Sequence, residues 1–228
     1  MQMHIKGKML KAAALSAAAM LLCTSGIVEY KSKVEAAAAD NVVDSKKIAL
    51  TFDDGPHPYY TEQLLDGLKD RDVKVTFFVL GKHAEQYPDL VQRMSEEGHL
   101  IGNHTYSHMQ LNKRNSEAFK EELVKTSELI EELTGQEVQY VRPPYGTWNK
   151  SFEKELNMFP VLWNIDPLDW SSSNVSGIVK KVTSKAKENA IILMHDEYDT
   201  TVTAALQIID ELKEQGYEFV TVEELLFD

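Results

Sequence analysis

Residues 48–80 read IALTFDDGPHPYYTEQLLDGLKDRDVKVTFFVL, and two periodicities alternate within them. Ile48 to Phe52 is a short apolar run, Thr61 to Lys69 repeats its apolar residues at helical spacing, and Val75 to Leu80 is a second short apolar run. Gly55 and Pro56 punctuate the chain between the first run and the helix. Strand, helix, strand in that order imply parallel strands joined by a right-handed crossover. The alternation continues to the C-terminus. Strand-like runs recur at His99 to Asn103, Val138 to Val141, Val161 to Ile165, Ala190 to Met194 and Glu218 to Val222. Helix-period segments lie among them at Pro88 to Glu97, Ser116 to Leu133, Phe152 to Leu156, Val175 to Glu188 and Thr201 to Gln215. Gly98, Gly135 and Gly216 stand where a left-handed residue would end a helix before the next strand. Seven runs predict an α/β domain with a parallel sheet. The pattern alone leaves a closed barrel and an open doubly wound sheet as alternatives.

Three regions are expected. Residues 1–39 read as a signal peptide or an N-terminal membrane anchor: Lys6, Lys8 and Lys11 precede an apolar run from Ala12 to Val28, and Ala36 to Ala39 offer small-residue cleavage sites. The run is at the lower edge of a membrane span, so a cleaved signal and a retained anchor both stay open. Residues 40–46 form a short polar stem, and residues 47–228 one catalytic-sized domain, large enough for a substantial core. The expected location is exported: extracellular, cell-wall associated or membrane-anchored.

The chain carries a formal charge of −12; residues 1–39 hold five lysines and two glutamates, so 19 basic residues face 34 acidic ones in the remainder. A body this acidic is a poor partner for nucleic acid, whose phosphates select basic surfaces, and a largely neutral substrate suits it better. The single cysteine, Cys23, lies in the N-terminal segment. A domain released near Ala39 therefore has no disulfide, no thiolate metal site and no cysteine nucleophile, and any metal must be held by histidine and carboxylate.

The chemically capable residues gather at one edge of the expected sheet. Asp53 and Asp54 follow the first strand-like run, His104 and His108 the third, Arg142 the fourth, Asp166 and Asp169 the fifth, and His195 the sixth. That is the C-terminal edge, where parallel α/β folds assemble their sites. In the string His-Thr-Tyr-Ser-His the two imidazoles share a face if the backbone makes a helical turn; two surface histidines are the blander reading. In Thr-Phe-Asp-Asp-Gly-Pro adjacent carboxylates diverge along a strand, so Asp53 and Asp54 can serve one site only if Asp54 lies in the turn. Asp54, His104 and His108 make a two-nitrogen, one-oxygen ligand set that leaves coordination positions open, as a catalytic zinc site does. Asp53 is then free to act as a base beside the metal.

Five strings in order carry a resemblance: Thr-Phe-Asp-Asp-Gly-Pro at 51–56, His-Thr-Tyr-Ser-His at 104–108, Arg-Pro-Pro-Tyr-Gly at 142–146, Asp-Pro-Leu-Asp-Trp at 166–170 and Leu-Met-His at 193–195. Over residues 46–227 the chain resembles the polysaccharide deacetylase family, also called the NodB-homology domain or carbohydrate esterase family 4. The resemblance implies a distorted barrel of about seven parallel strands. It implies one divalent metal ion on Asp54, His104 and His108, zinc foremost, with cobalt, nickel, manganese or iron as other occupants. It also implies Asp53 as general base oriented by Arg142, His195 as general acid paired with Asp169, the Tyr145 backbone N–H at the oxyanion, and Trp170 as a wall on which a sugar stacks. The implied activity is removal of N-acetyl groups from N-acetylglucosamine units of a cell-wall or chitin-like polysaccharide by a monomer, with peptidoglycan favoured by the exported location. Chitooligosaccharide or exopolysaccharide deacetylation, acetylxylan esterase activity and an inactive glycan-binding wall protein are the alternatives. Outside this set, His57, His83 and His99 are read as surface or packing residues, Asp166 as a loop cap, Asp196 and Asp199 as solvated charges, and Trp148, Trp163 and Tyr106 as packing.

Overall fold

The computed structural model describes residues 46–227, so the expected signal or anchor, residues 1–39, and all but the last residue of the stem lie outside the described residues. In chain order the elements are β1 (Lys46–Asp53), α1 (Tyr60–Asp70), β2 (Thr76–Val79), α2 (Gly81–Gln86), α3 (Pro88–Glu96), β3 (Leu100–Asn103), α4 (Ser116–Thr134), β4 (Tyr140–Val141), α5 (Ser151–Glu155), β5 (Phe159–Pro160), α6 (Val175–Thr183), β6 (Ala190–His195), α7 (Asp199–Glu214), β7 (Tyr217–Phe219) and α8 (Val222–Phe227). Every strand pairing is parallel, in the order β5-β4-β3-β2-β1-β6, with β7 paired to β1. β1 is the hub: its last residues, Thr51 to Asp53, pair with β2, Lys46 to Ile48 pair with β7, and Ile48 to Asp53 pair with β6. None of the described helices is long and apolar enough to cross a membrane.

The sheet curls into a half-barrel, and the alternation of side chains along β1 sets what lies inside. Ile48, Leu50 and Phe52 pack outward beneath α1 and α7, in one cluster with Leu64, Leu65, Leu68, Ile208, Ile209 and Leu212. Each such burial is worth roughly 1.5–3 kcal/mol. Ala49 packs on the other side with Phe78, Tyr140 and Val161. Thr51 and Asp53 share the parity of Ala49 and so face the interior. The strand pairing then places His195 beside Asp53, since these two are direct Cα partners on β1 and β6.

Two expectations of chain path need correcting. Val161 to Ile165 is not the fifth strand; β5 is Phe159–Pro160, and Ile165 makes one isolated bridge to Ile192. The segment leaves β4 through Val161 N–H donating to Val141 O and reaches β6 where Leu193 N–H donates to Ile165 O. Val161 and Ile165 are buried because they span the open side of the curl, whereas Leu162 between them is exposed. At the other end, Val222 opens a helix instead of ending a strand. Gly98, Gly135 and Gly216 do take left-handed φ values of 81°, 70° and 81° after α3, α4 and α7.

Candidate functional site

Asp53 ends β1 and is 3 % exposed, and Asp54 begins the turn with φ 76°. The left-handed step lets consecutive carboxylates enter one cavity. The histidine pair departs from expectation: residues 104–108 form no helical turn, and Thr105 and His108 have φ of 64° and 66°. The loop is folded by side chains. Asn103 Oδ1 accepts from Thr105 N–H, and Glu122 on α4 accepts from the N–H groups of Tyr106 and Ser107. His104 Nδ1–H donates to Arg142 O at 2.6 Å, which leaves Nε2 facing the cavity. Asp54 Oδ1 then lies 3.4 Å from His104 Nε2 and 3.5 Å from His108 Nε2.

These three residues fit a cation. One ligand atom from each lies within 4.8 Å of the others. The separations are too long for good hydrogen bonds and match atoms sharing an ion at about 2 Å. Asp54 Oδ1 is buried with no hydrogen-bond partner, a position a cation would satisfy. Burial pushes the Asp54 carboxyl up, but the nearby His104, with the charges of His108 and His195, brings it down to about 2. Burial, helped by the charges of His104 and Lys82, holds the His108 imidazole below its usual range against the pull of Asp54 and Asp53, so the neutral, ligating form is favoured.

Arg142 is fully buried inside the half-barrel. Its Nη1 donates to Asp53 Oδ1 at 2.8 Å and to Thr51 Oγ1 at 2.6 Å, its Nε donates to Val161 O at 3.1 Å, and its plane stacks 4.2 Å from the Phe78 ring centre. Four groups thus fix the guanidinium and leave Asp53 Oδ2 turned to the cavity. Across it, Asp169 is 1 % exposed and receives three hydrogen bonds: His195 Nδ1–H at 3.0 Å, His195 backbone N–H at 2.8 Å and Thr201 Oγ1–H at 2.8 Å. Burial pushes the His195 imidazole down, yet the bond to Asp169 and its charge, reinforced by Asp53 and Asp54, raise it to about 9.

Asp53, Asp54, His104, His108 and His195 therefore line one cavity of about 350 Å³, with Tyr145, Trp163, Trp170 and Tyr198 on its walls. Arg142 and Asp169 stand behind it. Tyr145 (66 % exposed, φ 59°) packs edge-on against His108 at 5.0 Å, and Trp170 is 55 % exposed. Trp163, expected to be packing, is a wall of the cavity; Tyr198 was not singled out, and its place three residues after His195 was the available signal. Asp166 caps its loop as expected, accepting from Leu168 N–H at 2.8 Å. Among the described residues, Asp54, Thr105, His108, Tyr145 and Leu168 account for five of the eight non-glycine residues with positive φ, so backbone strain is concentrated around this site.

Two residues differ from their expected roles. Asp196 is fully buried, not solvated: it accepts from the Thr61 hydroxyl, and burial pushes its carboxyl up to about 7. A Cβ on Gly55 would lie 2.3 Å from both its oxygens, so only glycine fits there. His83 is not ordinary packing either, since its Nδ1 lies 2.7 Å from Asp54 O. Its position, just past the C-terminal end of β2, was the missed signal. His99 is structural, accepting from Val75 N–H and meeting the Phe77 ring edge-on.

The sequence pattern described as polysaccharide deacetylase matches residues 40–161. A peptidoglycan-N-acetylglucosamine deacetylase of Listeria monocytogenes is 41 % identical over 194 residues, which are 85 % of this chain and 42 % of that protein. This chain thus spans less than half the length of that relative. A chitooligosaccharide deacetylase of Rhizobium leguminosarum is 42 % identical over 192 residues, 76 % of this chain and 89 % of that one. The structure of peptidoglycan deacetylase PdaC from Bacillus subtilis superposes with a TM-score of 0.76 at 42 % identity, covering 79 % of this chain and 90 % of that one. Taken with motifs that meet around one cavity, these matches establish that the chain belongs to the polysaccharide deacetylase family.

Proposed function

We propose that this chain is an exported, zinc-dependent hydrolase that removes N-acetyl groups from the N-acetylglucosamine units of peptidoglycan. The observation that carries the reading is the meeting of Asp53, Asp54, His104, His108 and His195 in one cavity backed by Arg142 and Asp169. A divalent cation held by Asp54, His104 and His108 supplies Lewis acidity to the acetamide carbonyl and lowers the pKa of water. Arg142 orients Asp53 through Oδ1 and leaves Oδ2 free to take the proton of the attacking water. The backbone N–H of Tyr145 serves as an oxyanion donor, a role typically worth ~100–1000-fold in rate. His195 gives its proton to the departing sugar nitrogen, and Asp169 keeps it charged until then. Trp170 and Tyr198 offer exposed aromatic faces to the sugars on either side.

Acetate release from peptidoglycan, chitin oligomers and acetylated xylan tests the substrate. The highest kcat/KM is expected on peptidoglycan, in keeping with the Listeria and Bacillus relatives. The near full-length match to the Rhizobium protein makes chitin oligomers the second reading, and a tenfold preference for them would replace the first. Asp53→Asn should keep its zinc and lose ~100–10,000-fold in turnover; full activity would remove Asp53 from the base role.

A further inference from the structure

The two segments that carry the cation ligands, Asp53 to Pro56 and His104 to His108, are not bonded directly to each other through their main chains by any hydrogen bond found here; both are fastened to the start of α2. Gly81 N–H donates to Thr105 O at 2.9 Å and Lys82 N–H donates to Tyr106 O at 3.0 Å, which holds the histidine loop. Leu80 N–H donates to Gly55 O at 3.0 Å, which holds the aspartate turn. The approach is close enough that a Cβ on Gly81 would fall 2.4 Å from Thr126 Oγ1 and 2.5 Å from the Tyr106 ring. Two side-chain bonds complete this bracket: the Tyr106 hydroxyl donates to Glu85 on α2, and His83 Nδ1 lies 2.7 Å from Asp54 O.

A carbonyl oxygen can only accept, so Nδ1 carries the hydrogen whether the ring is neutral or charged. His83 is itself held, because its backbone N–H donates to Leu80 O at 3.0 Å and its side chain is only 23 % exposed. Asp54 needs such a fixture, since its φ of 76° is unfavourable for a residue with a Cβ and nothing intrinsic to aspartate keeps it there. Loss of the bond to His83 would free the 54–55 peptide to rotate and relax the turn from which the Asp54 carboxylate is aimed at the two imidazoles.

We propose that His83 is a positioning residue for the cation site: its ring N–H locks the backbone of Asp54, so that the ligand carboxylate is already aimed before the ion arrives. This rests on the metal-dependent reading above, and it adds a residue outside the ligand set. Partners of this kind typically change metal affinity ~10–100-fold.

The test is calorimetric titration of zinc into the metal-free full chain. His83→Asn puts an amide nitrogen where Nδ1 was, whereas His83→Gln puts it where Nε2 was. Zinc affinity is expected to fall ~10–100-fold in His83→Ala and His83→Gln and to stay within about threefold of the parent in His83→Asn. At zinc concentrations above the weakened Kd, His83→Ala should recover most of its rate of acetate release, because the reacting groups are untouched. Equal affinity in the parent and His83→Ala, or equal rescue by Gln and Asn, would overturn the inference while leaving the site intact. A parent chain that takes up no zinc would instead overturn the metal-dependent reading itself.

Discussion

Replacing Asp169 by Asn separates the charge on His195 from its placement. The change is isosteric, and the amide oxygen can still accept from the His195 backbone N–H and the Thr201 hydroxyl, as Oδ2 does now. The amide NH₂ then faces His195 Nδ1, where a donor now meets an acceptor at 3.0 Å. The neutral ring now keeps its hydrogen on Nε2, and the imidazole loses the neighbour chiefly responsible for raising it to about 9. A return to the ordinary histidine value near 6.5 is a fall of about 2.5 units, or roughly 3.4 kcal/mol less stabilisation of the imidazolium. At pH 8 the protonated fraction drops from about 0.9 to about 0.03, so kcat/KM should fall ~30-fold, whereas at pH 6 protonation accounts for less than a twofold loss. The assay is the pH profile of kcat/KM from acetate release, paired with an NMR titration of the His195 ring. An alkaline limb that stays in place in the variant would refute the assignment of His195 as the acid tuned by Asp169. Linkage gives an independent check. A folded-state pKa above the unfolded one means the pair stabilises fully below pH 6.5 and that this contribution fades as pH rises through about 9. The stability gap between parent and Asp169→Asn, measured by urea unfolding, should therefore be wide at pH 6 and narrow at pH 10.

Removing the cation with a chelator should lower Tm, and restoring zinc to 100 times its Kd should add about 2.7 kcal/mol; a Tm indifferent to both would argue against the site. Gly55→Ala drives a methyl into the Asp196 carboxylate and is expected to destabilise by ~1–3 kcal/mol in thermal or urea unfolding, with part of the loss recovered in the Gly55→Ala/Asp196→Ala double variant. Trp170→Ala should raise KM on glycan chains several-fold with kcat nearly unchanged, since the ring is exposed on the cavity wall and makes no contact with the reacting groups in the proposed mechanism.

Much of this architecture was legible because burial and pairing leave the same mark on a strand. β1, β2, β3 and β6 lie within the expected apolar runs or a residue or two of their ends, and every residue with an expected chemical role lies in the cavity or directly behind it. The fifth run was misread because Val161 and Ile165 are apolar for a different reason: they close the side of the curl, and the short ladder itself falls on Phe159 and Pro160. α2, reading Gly-Lys-His-Ala-Glu-Gln, has Ala84 as its one apolar side chain and so displays no helical period. With α2 unseen, the bond from His83 to Asp54 had no visible basis. The histidine pair was found for its spacing, yet its geometry comes from Asn103 and Glu122, residues whose bonds no periodicity encodes. Asp196 was misplaced because a carboxylate in a loop is ordinarily wet, and only the three-dimensional path brings Thr61 and Gly55 onto it.

The direct pairing of Asp53 with His195 on neighbouring strands has an evolutionary corollary. Both residues, the proposed base and the proposed acid, are anchored by ladder hydrogen bonds, and a shift of one residue in either strand would turn its side chain out of the interior. Trp170 and Tyr198, by contrast, sit in connecting segments that can be lengthened or recast without disturbing that ladder. Selection can thus retarget such a scaffold from one sugar polymer to another by editing its rim alone, while the reaction itself stays the same.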